Sequence, residues 1–259
     1  MPPATVGAMA WLPVSDRSSA SAESVSDVPA ALVDAASKPY RRAGRFAYHF
    51  ARGKLRGDPV YEAILSRGLL QGRTLILDLG CGQGLLTAWL RAAEHSFAAG
   101  AWPAAWAGAP RGVCVRGIEL MAQDVERARR ALGPDLDIVR ADICQADFDS
   151  ADAVVILDVL HYLRPVSQQQ VLQRARTALP RDGLLLVRVG DAGAGLRFRY
   201  GQWIDRITML ARGHGWAPMH WRSIGQWRQL LDDCDFDSEV LPMSRGTPFA
   251  NALLIARAR

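Results

Sequence analysis

The chain has 259 residues, a formal net charge of +5 and 49% hydrophobic residues. That length and composition suit one large domain with its own core and exclude an intrinsically disordered chain. No apolar stretch reaches about 18 residues and no signal-like segment opens the chain, so we predict neither a membrane span nor secretion. The four cysteines have no paired spacing, which predicts neither disulfides nor a metal site. We therefore expect a cytoplasmic protein with reduced thiols.

The first 70 residues change in character at residue 38. Residues 1–37 are rich in Ala, Ser, Val and Pro without sustained periodicity, and we expect a disordered tail with at most a short helix over 29–36. Residues 38–56 hold seven Lys or Arg, no acid and four interleaved aromatics. Three interpretations stay open for this basic segment: a solvated helix whose aromatics pack on the domain, a lid over a ligand site, or a docking surface for a polyanion. We assign residues 38–70 to a basic N-terminal helical lid.

A glycine-rich turn follows the first predicted strand. Residues 75–86 read LILDLGCGQGLL, in which Asp78 closes an apolar run and glycines alternate from Gly80 to Gly84 before a helical pattern begins. Such a turn lets a ligand approach the backbone and aims N–H groups at the start of a helix toward it. The spacing differs from the dinucleotide-binding fingerprint, which disfavours a nicotinamide-dependent oxidoreductase.

Acidic residues close or follow each of the next three predicted strands. Residues 113–120 carry Glu119, residues 136–143 carry Asp142, and residues 153–163 carry Asp158; residues 183–189 form a fifth strand. The carboxyl ends of parallel strands lie at one edge of a sheet, so these side chains are expected there together. A carboxylate after the second strand suits the hydroxyls of a ribose.

This order of elements over residues 75–189 resembles the class I S-adenosylmethionine (SAM)-dependent methyltransferases. The resemblance implies an α/β, Rossmann-like fold with a seven-stranded, mostly parallel sheet, an antiparallel last strand and helices on both faces. It implies SAM as the cofactor and a methyltransferase domain over residues 71–259. The cofactor-binding residues that it implies are Asp78, Gly80, Cys81, Gly82, Gly84, Glu119, Leu120, Asp142, Ile143 and Asp158.

Two long connections depart from a minimal domain of this kind. Glu119 lies 35 residues beyond Gly84, where about 20 are usual for such an acid. The excess falls in residues 95–112, whose composition predicts a long loop. Trp102 and Trp106 in this loop could line an acceptor pocket, but we expect them to pack against the domain. Residues 190–222 form a second insertion, rich in Arg, His and Trp, with a predicted helix over 202–211. We expect this insertion and the basic segment to determine the acceptor.

The chemistry points to few candidate bases. Methyl transfer from SAM is an in-line displacement, which positioning alone accelerates strongly, and a base is needed only if the acceptor carries a proton. His161 follows the fourth strand and is the first candidate, because imidazole titrates near neutral pH. Its alternative is a structural histidine at the strand exit. Tyr162 and His214 are second candidates, and Asp158 suits cofactor positioning better than proton abstraction.

We expect a small-molecule acceptor. The segments GRFAYHFARGKLRGDPVYEAIL and SRGTPFANALLIARAR, with the Trp-containing loop, are similar to methyltransferases of aryl polyene and xanthomonadin-type pigment clusters. This similarity implies a phenolic or aryl-polyene acceptor, held on an acyl carrier protein whose acidic surface would suit the basic segment.

Two other functions stay open at this stage. The sequence pI near 9.3 favours a nucleic-acid substrate mildly, but residues 158–161 read DVLH and lack the Asn/Asp-Pro-Pro-Tyr/Phe motif of amino-methylating nucleic-acid enzymes. The other alternative is a non-catalytic SAM-binding partner subunit, and the intact glycines, Glu119 and Asp142 argue against it.

Overall fold

The structure is a computed structural model that describes residues 28–193, 219–244 and 251–259. Residues 1–27 of the predicted tail, the predicted helix over 202–211 and the candidate His214 lie outside the described residues.

A seven-stranded sheet forms the centre of the described chain, with the strand order β3-β2-β1-β4-β5-β7-β6. Strands β1 to β5 pair in parallel, whereas β7 runs antiparallel to both β5 and β6. The strands are β1 Leu75–Leu79, β2 Cys114–Glu119, β3 Ile138–Arg140, β4 Ala153–Leu157, β5 Leu184–Gly190, β6 Phe236–Pro242 and β7 Asn251–Ala258. The strand order reverses between β1 and β4, where sheets of this type bind ligands.

Seven α-helices and two 3₁₀ helices surround this sheet in the described residues. The α-helices are α1 Ala30–Ser37, α2 Arg45–Gly57, α3 Pro59–Ser66, α4 Leu85–Ala98, α5 Ala122–Leu132, α6 Pro165–Ala178 and α7 Ile224–Asp232. The 3₁₀ helices are Lys38–Ala43 and Leu160–Tyr162. The Rossmann-like prediction, including the antiparallel last strand and helices on both faces, is confirmed.

The central strands are buried on both faces. In β4, Ala153 and Val155 join the core beneath α1 to α4, whereas Val154 and Ile156 join the core beneath α6 and α7. The two-residue period of a strand produces this division, and only a continuous apolar sequence satisfies both sides.

Side chains mark where two of the helices begin. Asp58 accepts a hydrogen bond from the backbone N–H of Val60 at the start of α3, and Pro59 occupies the first helical position. Ser223 and Gln226 have the sequence spacing of a capping box, and both of its reciprocal hydrogen bonds are present at the start of α7.

Helix α1 lies in the segment predicted as a tail and nearly coincides with the short helix allowed there over 29–36; its residues Leu32, Val33 and Ala36 form an apolar stripe that is buried in the core. Helical structure extends further than predicted after the glycine turn. Helix α4 continues to Ala98, into the stretch predicted as a loop from residue 95, and the ring of Phe97 there packs edge-on against Trp102.

The tryptophans of the long loop after α4 pack. The ring centroids of Trp102 and Trp106 lie 5.4 Å apart in an edge-on arrangement, and both rings contact the core. The indole N–H of Trp102 donates to the carbonyl of Ala107 at 2.8 Å. These contacts correspond to the packing role that the sequence favours.

Candidate active site

The glycine turn has a backbone that other residues adopt only with strain. Gly80, Gly82 and Gly84 have φ values of +74°, +56° and +73°, in the left-handed region. A Cβ on Gly80 would lie 2.3 Å from a methyl carbon of Val159, so the turn closely approaches the exit of β4. The N–H groups of Gly80 and Cys81 donate to the carbonyl of Ile118 at 2.8 and 3.2 Å, which fixes the turn on β2.

The carboxylate of Glu119 is held against this turn by backbone N–H groups. It accepts hydrogen bonds from Gly82 at 2.9 Å and from Met121 at 2.7 Å. Its side chain is therefore pre-positioned at the carboxyl edge of the sheet. A Cβ on Gly82 would meet nothing within 4 Å, so the outer side of the turn is open.

Asp78 adds a second carboxyl group behind the turn. It is 3% exposed, and burial together with the charge of Glu119 raises its pKa to about 7. Within the described part of the chain, neither Asp78 nor Glu119 forms an ion pair. Two acidic groups without a protein cation suit a ligand that brings a positive charge and hydroxyl groups. SAM has an ammonium, a sulfonium and a ribose, so these residues fit it.

The exits of β2 and β3 bring the other cofactor candidates close together. The N–H of Ala141 donates to the carbonyl of Glu119, so the chain segments that carry Leu120 and Asp142 lie side by side. Leu120 is 55% exposed and Ile143 is buried, while Asp142 accepts a hydrogen bond from the N–H of Cys144 at 2.8 Å. Cys81 packs against β2, because a Cβ on Gly117 would lie 2.6 Å from its sulfur.

Asp158 belongs to a different arrangement. It has a φ of +60°, and its carboxylate pairs with Arg188 of β5 and with Lys54 of α2. Arg188 also pairs with Asp58, whose second oxygen lies 2.8 Å from the ammonium of Lys54. We call Lys54, Asp58, Asp158 and Arg188 the ionic cluster.

The ionic cluster joins the N-terminal helices to the exits of β4 and β5. Arg188 is only 2% exposed. Burial raises the pKa of Asp58, but the charges of Arg188 and Lys54 outweigh that effect and hold it at about 2. Sequence reasoning missed Arg188, although an arginine in the apolar strand LLLVRV is a signal of a buried ion pair.

His161 is enclosed by aromatic rings. Its imidazole stacks on Trp221 with centroids 4.2 Å apart, and the ring of Tyr162 lies 4.0 Å away. Burial lowers the pKa of His161 to about 3, so the ring is neutral at physiological pH and a weak base. Its Nε2 is buried without a hydrogen-bond partner among the described residues. These contacts favour the structural alternative for His161, whereas Tyr162 is 40% exposed.

Tyr40 is a site residue that the sequence did not reveal. It lies in the first 3₁₀ helix, is fully buried, and its hydroxyl donates to the carbonyl of Gln83 in the glycine turn at 2.8 Å. Burial raises the pKa of Tyr40 well above its usual range, so the hydroxyl keeps its proton and remains a donor. The basic segment thus contacts the turn directly.

Comparison with known proteins agrees with this geometry. Residues 77–185 match the family described as "Methyltransferase domain". A carboxy-S-adenosyl-L-methionine synthase of Chromohalobacter salexigens is 33% identical over 143 residues, which cover 51% of this chain and 48% of that protein. The chain therefore matches about half the length of this relative.

Two solved structures share the fold at low sequence identity. An O-methyltransferase family protein of Burkholderia thailandensis is 16% identical with a TM-score of 0.58, and the match covers 84% of this chain and 61% of that one. The magnesium protoporphyrin IX methyltransferase of Synechocystis PCC 6803 with bound SAH is 19% identical with a TM-score of 0.54, covering 86% and 94%.

Residues 77–185 are thus similar to a methyltransferase domain, and the strand order of the sheet is that of the Rossmann-like fold which the solved methyltransferase structures share. Among the described residues, no helix has both the length and the apolar character to cross a membrane.

Proposed function

We propose that this protein transfers the methyl group of SAM to a small-molecule acceptor. The observation that supports this most strongly is the arrangement of Glu119 and Asp78 around the glycine turn, at the point where the strand order reverses. Glu119 would accept hydrogen bonds from the ribose hydroxyls, and Asp78 would face the ammonium group. Leu120, Asp142 and Ile143 would surround the adenine, as the family resemblance implies.

Bound SAM supplies an electrophilic methyl carbon with a good leaving group, and the protein's own task is to place the acceptor in line with it. We propose that the exit of β4 and the N-terminal helices form that acceptor region. The ionic cluster supports this because it holds α2 and α3 beside Asp158. We propose accordingly that residues 38–70 act as a lid over the site.

For the acceptor we propose a phenolic or aryl-polyene compound carried by an acidic acyl carrier protein. The support is the charge of the basic segment: Arg42, Arg45 and Arg56 are exposed on or beside α2. An acidic partner would be drawn to this surface, and the effect would weaken as the salt concentration rises.

A phenolic acceptor has to lose its proton, since its pKa is about 10. His161 and Tyr162 are the described candidates for accepting it. The low pKa of His161 makes it a weak base, so we expect His161→Phe to lower kcat less than about tenfold. A loss of several hundredfold, with unchanged melting temperature, would instead assign it the role of base.

The test is transfer of isotopically labelled methyl from SAM to a panel of free phenolic acids, the same acyl groups on a carrier protein, and bulk RNA. Label on an aryl acceptor is the expected result. Label on RNA alone would overturn the small-molecule proposal, and no label on any acceptor despite SAM binding would favour the non-catalytic partner subunit.

A pair of charge reversals tests the carrier-protein part. Arg45→Glu with Arg56→Glu should raise the KM for the tethered acceptor and leave the free acceptor unchanged, because both side chains are exposed. Arg228→Glu, exposed on α7, is the matched control. Equal KM values for tethered acceptor in all three proteins would contradict a carrier-protein contact on α2.

The 33% identity with a carboxy-S-adenosyl-L-methionine synthase supports a second candidate, in which SAM itself is modified. That reaction also needs a co-substrate that gives up a carboxyl group to SAM. With such a donor added, mass spectrometry of the cofactor after turnover separates the two: methyl transfer leaves S-adenosylhomocysteine, whereas the second candidate yields a carboxylated form of SAM.

A further inference from the structure

A cleft lies on the side of the molecule formed by α1, the first 3₁₀ helix, α4 and α5, apart from the candidate active site. Its volume of about 590 Å³ is within the range of small-molecule pockets. It borders α4 from Ala88 to His95, a length of about 10 Å that begins one turn beyond the glycine turn. The cleft is therefore separate from the open side of Gly82 and from the carboxyl edge of the sheet.

The rim of this cleft is cationic. Its cations are Lys38, Arg41 and Arg42 of the 3₁₀ helix and Arg91 of α4. None of the described residues that line it is acidic. Asp34 lines an adjoining cleft and is paired there with Arg52. Within the described chain Lys38 and Arg42 form no ion pair, so their charges are not neutralised by the protein.

The floor of the cleft is apolar and made of small side chains. Ala36, Ala88 and Ala92 are buried, and Ala131 with Leu132 closes the end of the cleft at α5. Methyl groups here leave room for an apolar body while the cations above can bind a carboxylate or phosphate. A surface of this kind is complementary to a molecule with an anionic head and a hydrophobic body.

We propose that this cleft binds a small amphiphilic organic anion, with its phosphate or carboxylate head at the arginine rim and its apolar body on the alanine floor. Arg91 is oriented at the rim by a hydrogen bond that it donates to the carbonyl of Leu132 at 3.1 Å. Arg41 lies between this cleft and the adjoining one, where its guanidinium stacks over the ring of Tyr48. The site is distinct from the proposed methyl-transfer site and does not rest on it.

The test is isothermal titration calorimetry of the full chain with octyl phosphate, alongside inorganic phosphate and octanol. We expect saturable binding of octyl phosphate and at least about tenfold weaker binding of the other two compounds. Inorganic phosphate lacks the apolar chain, and octanol lacks the charged head. Octanol or inorganic phosphate binding as tightly as octyl phosphate would overturn the proposal.

Substitutions at Ala35 locate the binding. Ala35 is exposed on α1 at the edge of the cleft, so a polar side chain there is compatible with folding. Ala35→Glu introduces a negative charge at the rim and should weaken octyl phosphate binding about tenfold, whereas the isosteric Ala35→Gln should weaken it by less than about threefold. Equal binding by the Glu and Gln variants would contradict a cationic site here.

A double variant tests the same cleft without relying on Ala35. Arg42→Gln combined with Arg91→Gln should also weaken octyl phosphate binding about tenfold. Arg228→Gln, on α7, should leave it unchanged, and so should Glu119→Ala, which alters only the cofactor site. Binding that is lost in Glu119→Ala but kept in the arginine pair would place octyl phosphate at the cofactor site and overturn the proposal.

Discussion

The two halves of the sheet's carboxyl edge hold their charges in different ways. On the side of β1 to β3, the carboxylates of Glu119 and Asp142 are held by backbone N–H groups. On the side of β4 and β5, Asp158 is held by two cationic side chains, Arg188 and Lys54. Backbone donors orient a carboxylate and leave its charge in place, whereas cations neutralise it. The first half is thus prepared for a charged ligand, and the second half uses its charges to attach the N-terminal helices.

The contacts of the two halves also differ in sequence separation. Glu119 reaches partners 2 and 37 residues away, whereas the ionic cluster joins residues 104 and 130 positions apart. The half that carries Glu119 is therefore built largely within one strand–turn–helix unit and its neighbour. The half that carries the ionic cluster requires the N-terminal helices to fold onto β5.

The largest effect is expected from Arg188→Met. The substitution leaves Asp58 and Asp158 with only Lys54 as a cation, and removing one partner of a buried ion pair costs about 3–5 kcal/mol. Urea unfolding should show that loss of stability, with Arg228→Met as the exposed control. A loss below about 1 kcal/mol would mean that the cluster contributes little to holding α2 and α3.

The same variant should change the acid stability. The pKa of Asp58 is about 2 in the folded protein and about 3.9 when unfolded, so its contribution is full above the unfolded pKa and disappears as the pH falls toward 2. Arg188→Met should raise the folded pKa of Asp58 and reduce this acid-sensitive part of the stability. Unfolding free energies measured between pH 2 and pH 5 would reveal it.

Glu119→Ala tests the other half. It removes the acceptor that is fixed by Gly82 and Met121, and we expect SAM binding to weaken about 100-fold through the loss of two hydrogen bonds to a charged group. Glu126→Ala, exposed on α5, is the control. An unchanged affinity in calorimetry would remove Glu119 from the proposed cofactor site.

The sequence predicted the first half of the site better than the second for a physical reason. Asp78, the glycines and Glu119 lie in short motifs whose strand, turn and helix are determined locally. The spacing of the capping box of α7 is local for the same reason, since it spans only the four residues from Ser223 to Gln226.

The missed residues depend on long-range packing. Tyr40 touches a turn 43 positions away, and Arg188 acts through partners on α2 and α3. The apolar strand around Arg188 signals a buried ion pair, but no local pattern identifies the partners of Arg188 or of Tyr40. The short helix allowed over 29–36 is present as α1, but its burial in the core was not readable, because a helix of eight residues shows only about two turns of periodicity.

Two alanine substitutions compare the inner and outer sides of the glycine turn. Gly80→Ala forces a left-handed alanine against Val159 and should destabilise the fold by about 2 kcal/mol or more. In Gly82→Ala the added methyl meets open space, so the cost in stability is only the backbone strain, about 1–2 kcal/mol. Its main effect should be weaker SAM binding, because the methyl group lies on the open side of the turn. Thermal unfolding and calorimetry check both. Equal destabilisation would contradict the difference in packing.

The pH dependence of SAM binding tests Asp78. Its pKa of about 7 means that the carboxylate form, which favours the ammonium of SAM, becomes more populated as the pH rises. Affinity should increase roughly fivefold from pH 6 to pH 7, a range in which an α-amino group with a pKa of about 7.7–8.0 stays charged. Asp78→Asn should bind weakly without this dependence. A wild-type affinity that is constant with pH would exclude titration of Asp78.

Tyr40→Phe has the smallest expected effect and tests whether the two halves are connected. It removes only the hydroxyl that bonds to the carbonyl of Gln83, at a cost of about 1 kcal/mol, and the buried ring remains in place. We expect SAM affinity to fall about threefold to fivefold, because the glycine turn loses its contact with the basic segment. Tyr48→Phe is the control, because the hydroxyl of Tyr48 accepts a long hydrogen bond from the exposed Arg41, at 3.4 Å. Lower stability with unchanged SAM affinity would assign Tyr40 to packing alone. A raised KM for SAM at unchanged kcat would instead identify Tyr40 as a positioning residue, through which the N-terminal helices support the proposed cofactor site.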